Sequence, residues 1–383
     1  MNFDLTPEQQ LIQRTARELA EREFRTDALD WTRRDAFPWD RARTLARAGL
    51  LGLTIPEADG GQGGKLLDAV LALEQVAQVC PRSGDVVHAG NFGAIRILAG
   101  WGTAAQKATF LPALLAGEAL MAVGLTEPEA GSAATDLRTS ARIEGDRVVI
   151  NGQKVFTTNG PHATLFLVYV RFGPGVRGIG AVLVPRDTPG FRRGEPAHFM
   201  SGERWTPLYF EECAVPVELI VVPAGGFGRL IMTFNIERLG NATRSLALGQ
   251  AAFDYAVGYA AERRQFGRPL AEFQGIQWKF AEMKMKLEAA RLLLYRAATH
   301  ADRGAPSALD TALAKAYANT AGFEVANECL QVLGGYGYSA EYPLEYLMRR
   351  TRGWMIAGGT VEILKNRIAE EIFHQRFPQR PSD

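Results

Sequence analysis

The period of the hydrophobic pattern changes twice along this chain, and those two changes restrict the fold more than any single motif. Through the first hundred-odd residues, apolar side chains recur at helical spacing. Thr6-Pro7-Glu8-Gln9 fits a capping box with proline at the first helical position, followed by Leu11, Ile12, Ala16, Leu19 and Ala20. Leu66–Val79 predicts a buried helix, and Thr103-Ala104-Ala105-Gln106 repeats the capping pattern before Phe110, Leu111, Leu114 and Leu115.

Around Gly117 the period shortens to two. Arg142–Ile150 reads as a hairpin turning at Gly145-Asp146, and Asn151-Gly152 reads as a second turn. Leu165–Arg171, Ile179–Val184, Leu208–Glu211 and Val217–Val222 read as further strands. From Gly226 helical patterns return at about 228–264, 271–302, 307–333 and 360–374, with short breaks at Gly267-Arg268-Pro269 and Gly304-Ala305-Pro306. Their length and short connections predict a four-helix bundle. The expected organisation is a helical region at 1–118, a β-domain at 119–225 and a bundle at 226–383.

Composition excludes several classes. Hydrophobic residues make up 47% and charged residues 22%, which is globular rather than disordered. Lys and Arg total 43 against 42 Asp and Glu, so no basic excess points to nucleic acid or an anionic membrane. The first residues carry no basic and apolar leader, and the longest apolar runs are too short to span a bilayer. The expectation is a soluble cytoplasmic protein. Cys80, Cys213 and Cys329 lack CxxC spacing and read as reduced thiols, and no clustered His/Cys pattern predicts a metal site. His88 near Gly90-Asn91-Phe92-Gly93 reads as a structural histidine with a possible cleft role.

Two glycine clusters stand late in the chain, Gln331-Val332-Leu333-Gly334-Gly335-Tyr336-Gly337-Tyr338 and Gly358-Gly359-Thr360. Each interrupts a helical pattern, and glycine weakens a helix by roughly 1 kcal/mol per residue. Such clusters predict loops whose peptide N–H groups approach a cofactor or an activated carbonyl. Two further stretches, Gly124-Leu125-Thr126-Glu127-Pro128-Glu129-Ala130-Gly131-Ser132 and Gly152-Gln153-Lys154-Val155-Phe156-Thr157-Thr158-Asn159-Gly160, combine hydroxyl side chains with flexible backbone.

Together with Glu262-Arg263-Arg264-Gln265-Phe266-Gly267, these motifs resemble the acyl-CoA dehydrogenase family over essentially the whole chain. The resemblance implies a mainly α fold with a central β-barrel, an N-terminal α-domain, a C-terminal four-helix bundle, and FAD between barrel and bundle. It implies that Leu125, Thr126 and Ser132 line the flavin, that Thr158 bonds near its N5 edge, and that Phe156 stacks where tryptophan is usual. Arg263, Phe266, Gln331, Gly334 and Gly335 would meet the FAD of a neighbouring subunit in a homotetramer, a dimer of dimers. Thr360 and Glu362 would address the cofactor from a helix start, Glu362 replacing the usual glutamine. An electron-transfer flavoprotein is the implied acceptor.

The family's chemistry gives the glycines a reason. Oxidising an acyl-CoA thioester at its Cα–Cβ bond requires a base for the α-proton and a flavin N5 for the β-hydride. The α-proton becomes acidic when donors stabilise enolate-like charge on the thioester oxygen. By resemblance one donor is the Gly358 amide, where many relatives place a glutamate that is also the base. Gly358 has no carboxylate. A second branch, with the isovaleryl- and long-chain-type position, carries its base on the first bundle helix before an arginine. Here Phe234-Asn235-Ile236-Glu237-Arg238 matches it. Glu237 is therefore the expected base, with Ser132, Phe234, Asn235 and Arg238 as candidate substrate contacts.

Other positions depart from the family pattern. Ala133-Ala134 follow Ser132 where aspartate is usual, and Tyr346 and Arg350 replace a frequent Arg and Asp. Arg82, Asp85 and Arg96 lie where relatives shape the acyl pocket, with solvated positions expected. The alternatives are a flavoprotein on the same scaffold that cleaves C–S bonds or uses oxygen, and a non-catalytic binding protein. Desulfinase-type relatives combine Gly-Ser-Ala-Ala and Gly-Gly-Thr with a neutral residue at the Glu237 position.

Overall fold

A computed structural model describes residues 4–302 and 306–378 of the protein. Gly304 and Ala305, in the last expected break, lie outside the described residues. Seven helices come first: α1 (Pro7–Phe24), α2 (Ala28–Arg33), α3 (Trp39–Arg47), α4 (Leu66–Val79), α5 (Pro81–Asn91), α6 (Gly93–Trp101) and α7 (Ala104–Leu115). Nine strands follow: β1 (Met121–Gly124), β2 (Ser140–Glu144), β3 (Arg147–Thr158), β4 (Leu165–Arg171), β5 (Ile179–Pro185), β6 (Phe191–Arg193), β7 (Ala197–His198), β8 (Arg204–Pro216) and β9 (Ile220–Val222). The helices after them are α8 (Phe227–Glu262), α9 (Gln274–Ala301), α10 (Ala308–Leu333), α11 (Gly335–Tyr338), α12 (Leu344–Trp354) and α13 (Val361–Phe373), with the small ribbon β10 (Arg264–Gln265) and β11 (Arg268–Pro269) between α8 and α9. Both expected capping boxes form, at Thr6 and Thr103.

Two compact units divide the chain, one of residues 1–32, 70–84 and 237–383, the other of residues 33–69 and 85–236. The second contains the sheet, ordered β6-β8-β3-β2-β4-β5-β9 with β1 on β4 and β7 on β8. That path has two ends, so what stands is a nine-stranded sheet rather than a closed barrel. In β4 the side-chain period of two splits the strand between two cores. Leu165, Leu167 and Tyr169 pack with Ile95, Leu98, Leu111 and Leu114, whereas Phe166, Val168 and Val170 pack with Val148, Ile150, Leu208 and Phe210. Burial on both faces is why this strand reads as a continuous apolar run.

Asn151-Gly152 does not turn the chain. β3 runs on to Thr158, and its pairing with β8 slips there and again between Lys154 and Thr157. The Asn151 side chain satisfies the slip, its Oδ1 accepting from Glu212 N–H at 2.9 Å and its Nδ2 donating to Glu212 Oε1 at 2.7 Å. A turn-forming pair has been absorbed into a β-bulge.

In the helical unit α8, α9 and α10 match the three long predicted helices. α8 and α10 approach at glycine: a Cβ on Gly322 would stand 2.4 Å from the Ser245 carbonyl oxygen. Only glycine permits that backbone contact. Glu74, on the part of α4 in this unit, accepts from Arg291 Nε at 3.0 Å and from the Tyr295 hydroxyl at 2.6 Å, a buried link to α9. Tyr346 and Arg350 are buried on α12, and the Arg350 guanidinium lies 4.7 Å from the Trp354 ring centre, which makes them helix-packing residues. Arg82 and Asp85 are buried rather than solvated, and Arg96 donates to the Thr54 carbonyl at 2.7 Å and hydroxyl at 2.9 Å. Cys80, Cys213 and Cys329 are free and buried. His88 is buried and stacked on Phe92. Among the described residues no helix is long and apolar enough to cross a membrane.

Candidate active site

In the sheet unit a buried lysine gathers the predicted residues. Lys154 faces inward from β3, and its Nζ donates to the Leu125 carbonyl at 3.2 Å and to Glu127 Oε1 at 2.7 Å. Glu127 also accepts from the backbone N–H groups of Arg138 and Thr139. Burial pushes Lys154 down to about 8, partly offset by Glu127. Burial raises the Glu127 carboxyl, but the Lys154 charge and the hydrogen bonds outweigh it and hold the group below its ordinary range. The Val155 N–H donates to the Thr126 carbonyl at 2.8 Å, so the loop after β1 lies along the end of β3.

This brings Leu125 and Thr126 beside Phe156 and Thr158. Two residues of β3, Val155 and Phe156, stand opposite Pro207 alone, and the bulge turns the Phe156 ring outward. Phe156 has φ +57° and is 54% exposed, with its ring centre 4.7 Å from that of Trp205. An aromatic residue held at positive φ and facing solvent is a strained arrangement of the kind found at ligand sites. Ser132 is exposed on the same loop, after Gly131, whose added Cβ would meet nothing within 4 Å.

The helical unit holds the remaining residues in two groups. At the end of α10, Gln331 lies in the last helical turn and only Gly334, at φ +61°, leaves the helix before α11 begins at Gly335. The expected loop over 331–338 is therefore a one-residue break between helices. Arg263 lies 5.8 Å from the Tyr336 ring centre, which joins it to this break. Cβ atoms added at Gly334 or Gly335 would meet nothing within 4 Å, and Phe266, at φ +52°, is 94% exposed.

The second group surrounds Gly358-Gly359. Both glycines have positive φ, +74° and +92°, as a tight loop between α12 and α13 requires. Thr360 caps α13 by accepting from Ile363 N–H at 3.3 Å. Glu362 follows in the first turn, its carboxyl held low by its own backbone N–H and by Thr360. From α8, Asn241 Nδ2 donates to Glu237 Oε1 at 3.2 Å, and Arg238 Nε donates to the Gly358 carbonyl at 3.1 Å. From α10, Lys315 Nζ donates to the carbonyls of Trp354 at 3.1 Å and Gly359 at 2.9 Å, and Asn319 Nδ2 donates to Trp354 at 2.6 Å.

Space and charge are both constrained here. A Cβ on Gly358 would stand 2.8 Å from Asn241 Nδ2, so the Asn241 amide occupies the volume a side chain would need. Burial pushes Lys315 down to about 7, Arg238 adds to that, and Glu237 pulls the other way. Burial also lowers Arg238. This is a carboxylate among cations, beside a loop whose carbonyls are turned toward those cations.

Comparison with known proteins matches this architecture part by part. The family model for the acyl-CoA dehydrogenase N-terminal domain matches residues 6–118, the middle domain 122–213 and the C-terminal domain 224–373. The chain belongs to the acyl-CoA dehydrogenase family. It is 37% identical over 388 residues to 3-sulfinopropanoyl-CoA desulfinase of Paraburkholderia xenovorans, covering 99% of this chain and 100% of that one. It is 35% identical over 378 residues to the short-chain specific acyl-CoA dehydrogenase of Clostridium acetobutylicum, covering 97% and 100%. The structure of butyryl-CoA dehydrogenase from Megasphaera elsdenii superposes with a TM-score of 0.92 at 34% identity, covering 97% of this chain and 100% of that one.

Within this acyl-CoA dehydrogenase fold, four residues went unread in the sequence: Glu127 and Lys154 in the sheet unit, and Asn241 and Lys315 in the helical unit. Lys154 sits on the inward side of a strand alternation. Lys315 is a lone charge in the small-residue run Ala312-Leu313-Ala314-Lys315-Ala316, and Asn241 falls one helical turn after Glu237. Those spacings were the available signals. Among the described residues no group of His, Cys, Asp and Glu is placed to hold a metal ion.

Proposed function

We propose that the protein oxidises an acyl-CoA thioester at its α,β-bond, with Glu237 as the α-proton base and FAD as cofactor. The observation that carries this is the convergence of Glu237, through Asn241, on the space above Gly358, where no side chain grows from the loop itself. Glu237 so placed takes the α-proton. The Gly358 N–H donates to the thioester oxygen as negative charge develops there. Arg238 Nε holds the Gly358 carbonyl.

The residues present fit FAD. The outward Phe156 ring offers a face to a flat heteroaromatic ring, and the open space at Gly131, Gly334 and Gly335 lets backbone approach a ligand closely. Leu125, Thr126, Ser132 and Thr158 would hold the ring edge, and Thr360 and Glu362 the polar portion. When bound, the flavin supplies acceptance of a hydride equivalent from the β-carbon. The exposed Phe266 supports a role for Arg263, Phe266, Gln331, Gly334 and Gly335 at a neighbouring subunit's cofactor, within a homotetramer. Phe234, Asn235 and Arg238 would contact the acyl-CoA, and an electron-transfer flavoprotein would receive the electrons in the cytoplasm. The division at 1–118, 119–225 and 226–383 belongs to the same proposal.

One observation favours a second reading. The desulfinase relatives are 36–37% identical to this chain, and it shares Gly131-Ser132-Ala133-Ala134 and Gly358-Gly359-Thr360 with the pattern expected of them. Glu237 stands against it, because the pattern expected of desulfinases has a neutral residue at that position. Anaerobic mixing of the holoprotein with short, branched, aromatic and dicarboxylic acyl-CoAs and with 3-sulfinopropanoyl-CoA tests both. Bleaching of the flavin by an acyl-CoA supports dehydrogenation. Turnover of the sulfinyl thioester alone, without acceptor, replaces it with the second reading.

A further inference from the structure

We propose that Lys315 is a positioning residue for the thioester-polarising amide: it clamps the Gly358-Gly359 loop from behind by holding the carbonyls at the loop's two ends. The inference rests on the reading that the Gly358 N–H meets the thioester oxygen. Trp354 ends α12 and Thr360 caps α13, so the loop between them is short and glycine alone would leave it loose. Lys315 Nζ spans it, at 3.1 Å from the Trp354 oxygen and 2.9 Å from the Gly359 oxygen. Its stem packs against the loop, since a Cβ on Gly358 would be 3.4 Å from Lys315 Cε.

The orientation follows from the planar trans peptide, in which C=O and N–H point in opposite directions. With the Gly358 oxygen on Arg238 and the Gly359 oxygen on Lys315, the Gly359 N–H points away from Arg238 and the Thr360 N–H away from Lys315. The Gly358 N–H belongs to the Ala357–Gly358 peptide, which the chain carries between the Trp354 carbonyl anchor and the held Gly358 carbonyl. Asn319 adds a second donor to that anchor. A lysine serving only as packing could be replaced by an apolar chain of equal length. A lysine that sets the direction of the amide could not.

The buried position also gives the ammonium no route to act as acid or base on substrate. It is fully buried, with two of its three donors on main-chain oxygens. Its effect passes through the loop, and misplacing a reacting group by about 1 Å costs on the order of 10²-fold in rate.

The test uses Lys315→Met holoprotein and an unsaturated aryl acyl-CoA whose absorption band moves red when its carbonyl is polarised. The expected result is normal FAD content, analogue binding within about threefold of the parent, loss of more than half the red shift, and kcat reduced on the order of 10²-fold with KM little changed. A folded variant with the full red shift and unchanged kcat overturns the proposal. Should Lys315→Met fail to retain FAD, Lys315→Gln, which keeps a shorter donor, gives the same reading: a diminished shift supports the clamp and a full shift overturns it. If the parent protein itself binds the analogue without any red shift, the reading of Gly358 as thioester donor fails, and the clamp with it.

Discussion

Two buried lysines hold the carbonyls of two loops in this protein, and their charged surroundings differ. Lys154, in the sheet unit, meets the Glu127 carboxylate at 2.7 Å and holds one carbonyl, that of Leu125. Lys315, in the helical unit, holds two carbonyls and has Arg238 rather than a carboxylate as its strongest charged neighbour. Both are depressed by burial, Lys154 to about 8 and Lys315 to about 7. Lys154 is half of an ion pair that locks a loop. Lys315 is a cation kept beside another cation, which is poor for stability and good for holding main-chain oxygens in one direction. The first arrangement suits a cofactor cradle that need not change. The second suits a site where negative charge develops during reaction.

The largest effect expected concerns the base. Glu237→Gln should keep FAD and acyl-CoA binding but slow flavin bleaching by about 10²–10⁴-fold in anaerobic stopped-flow measurements. A rate equal to the parent's would take Glu237 out of the chemistry and leave the helical unit's cation cluster without a purpose.

Breaking the sheet unit's pair should cost stability rather than chemistry. Lys154→Met leaves the Glu127 carboxylate buried without its cation, a loss of about 3–5 kcal/mol in urea unfolding. Lys154→Met with Glu127→Gln should recover more than half of that loss, since the uncompensated charge is gone. Equal losses in the single and double variants would show that the pair is not the source of the stability.

Gly358→Ala should cost about 1–2 kcal/mol, because φ is +74° and the new Cβ would meet Asn241 at 2.8 Å. Against Asn241→Ala alone, Gly358→Ala should cost only the backbone strain, and differential scanning calorimetry of the single and double variants separates that from the steric part. A neutral Gly358→Ala would mean that the loop relaxes freely and that Asn241 does not fill its space.

The smallest effect is a change of slope with pH. A lysine whose folded value lies below its ordinary 10.5 binds fewer protons folded than unfolded between those two values. Stability therefore rises with pH from about 7 for Lys315 and from about 8 for Lys154, and the cost of the buried charge is fully present below. Lys315→Met should flatten the rise between about pH 7 and 8 and leave the portion set by Lys154. An unchanged slope would mean that Lys315 keeps its ordinary value, as a well-paired lysine does.

Much of the fold was legible because it rests on local signals. The capping boxes at Thr6 and Thr103, the helix Leu66–Val79 and the strand Leu165–Arg171 all lie where pattern and caps put them. Asn151-Gly152 misled because a turn-forming dipeptide also suits a β-bulge, and only the partner strand β8 decides between them. Gln331–Tyr338 misled because glycine's helix penalty was outweighed by packing, so that only Gly334 left the helix.

For the site, the sequence by itself determined that glycines occupy 358 and 359, that no carboxylate grows from that loop, and that Glu237 precedes Arg238 on a long helix. What only the tertiary structure decided is which side chains complete the arrangement. Asn241, Lys315 and Glu237 are separated by up to 78 positions along the chain (315 − 237) and converge because two helices, α8 and α10, pack against one loop. Local periodicity records which face of a helix is buried. It does not record what polar group waits on the neighbouring helix, and a buried lysine is tolerated only where such partners exist.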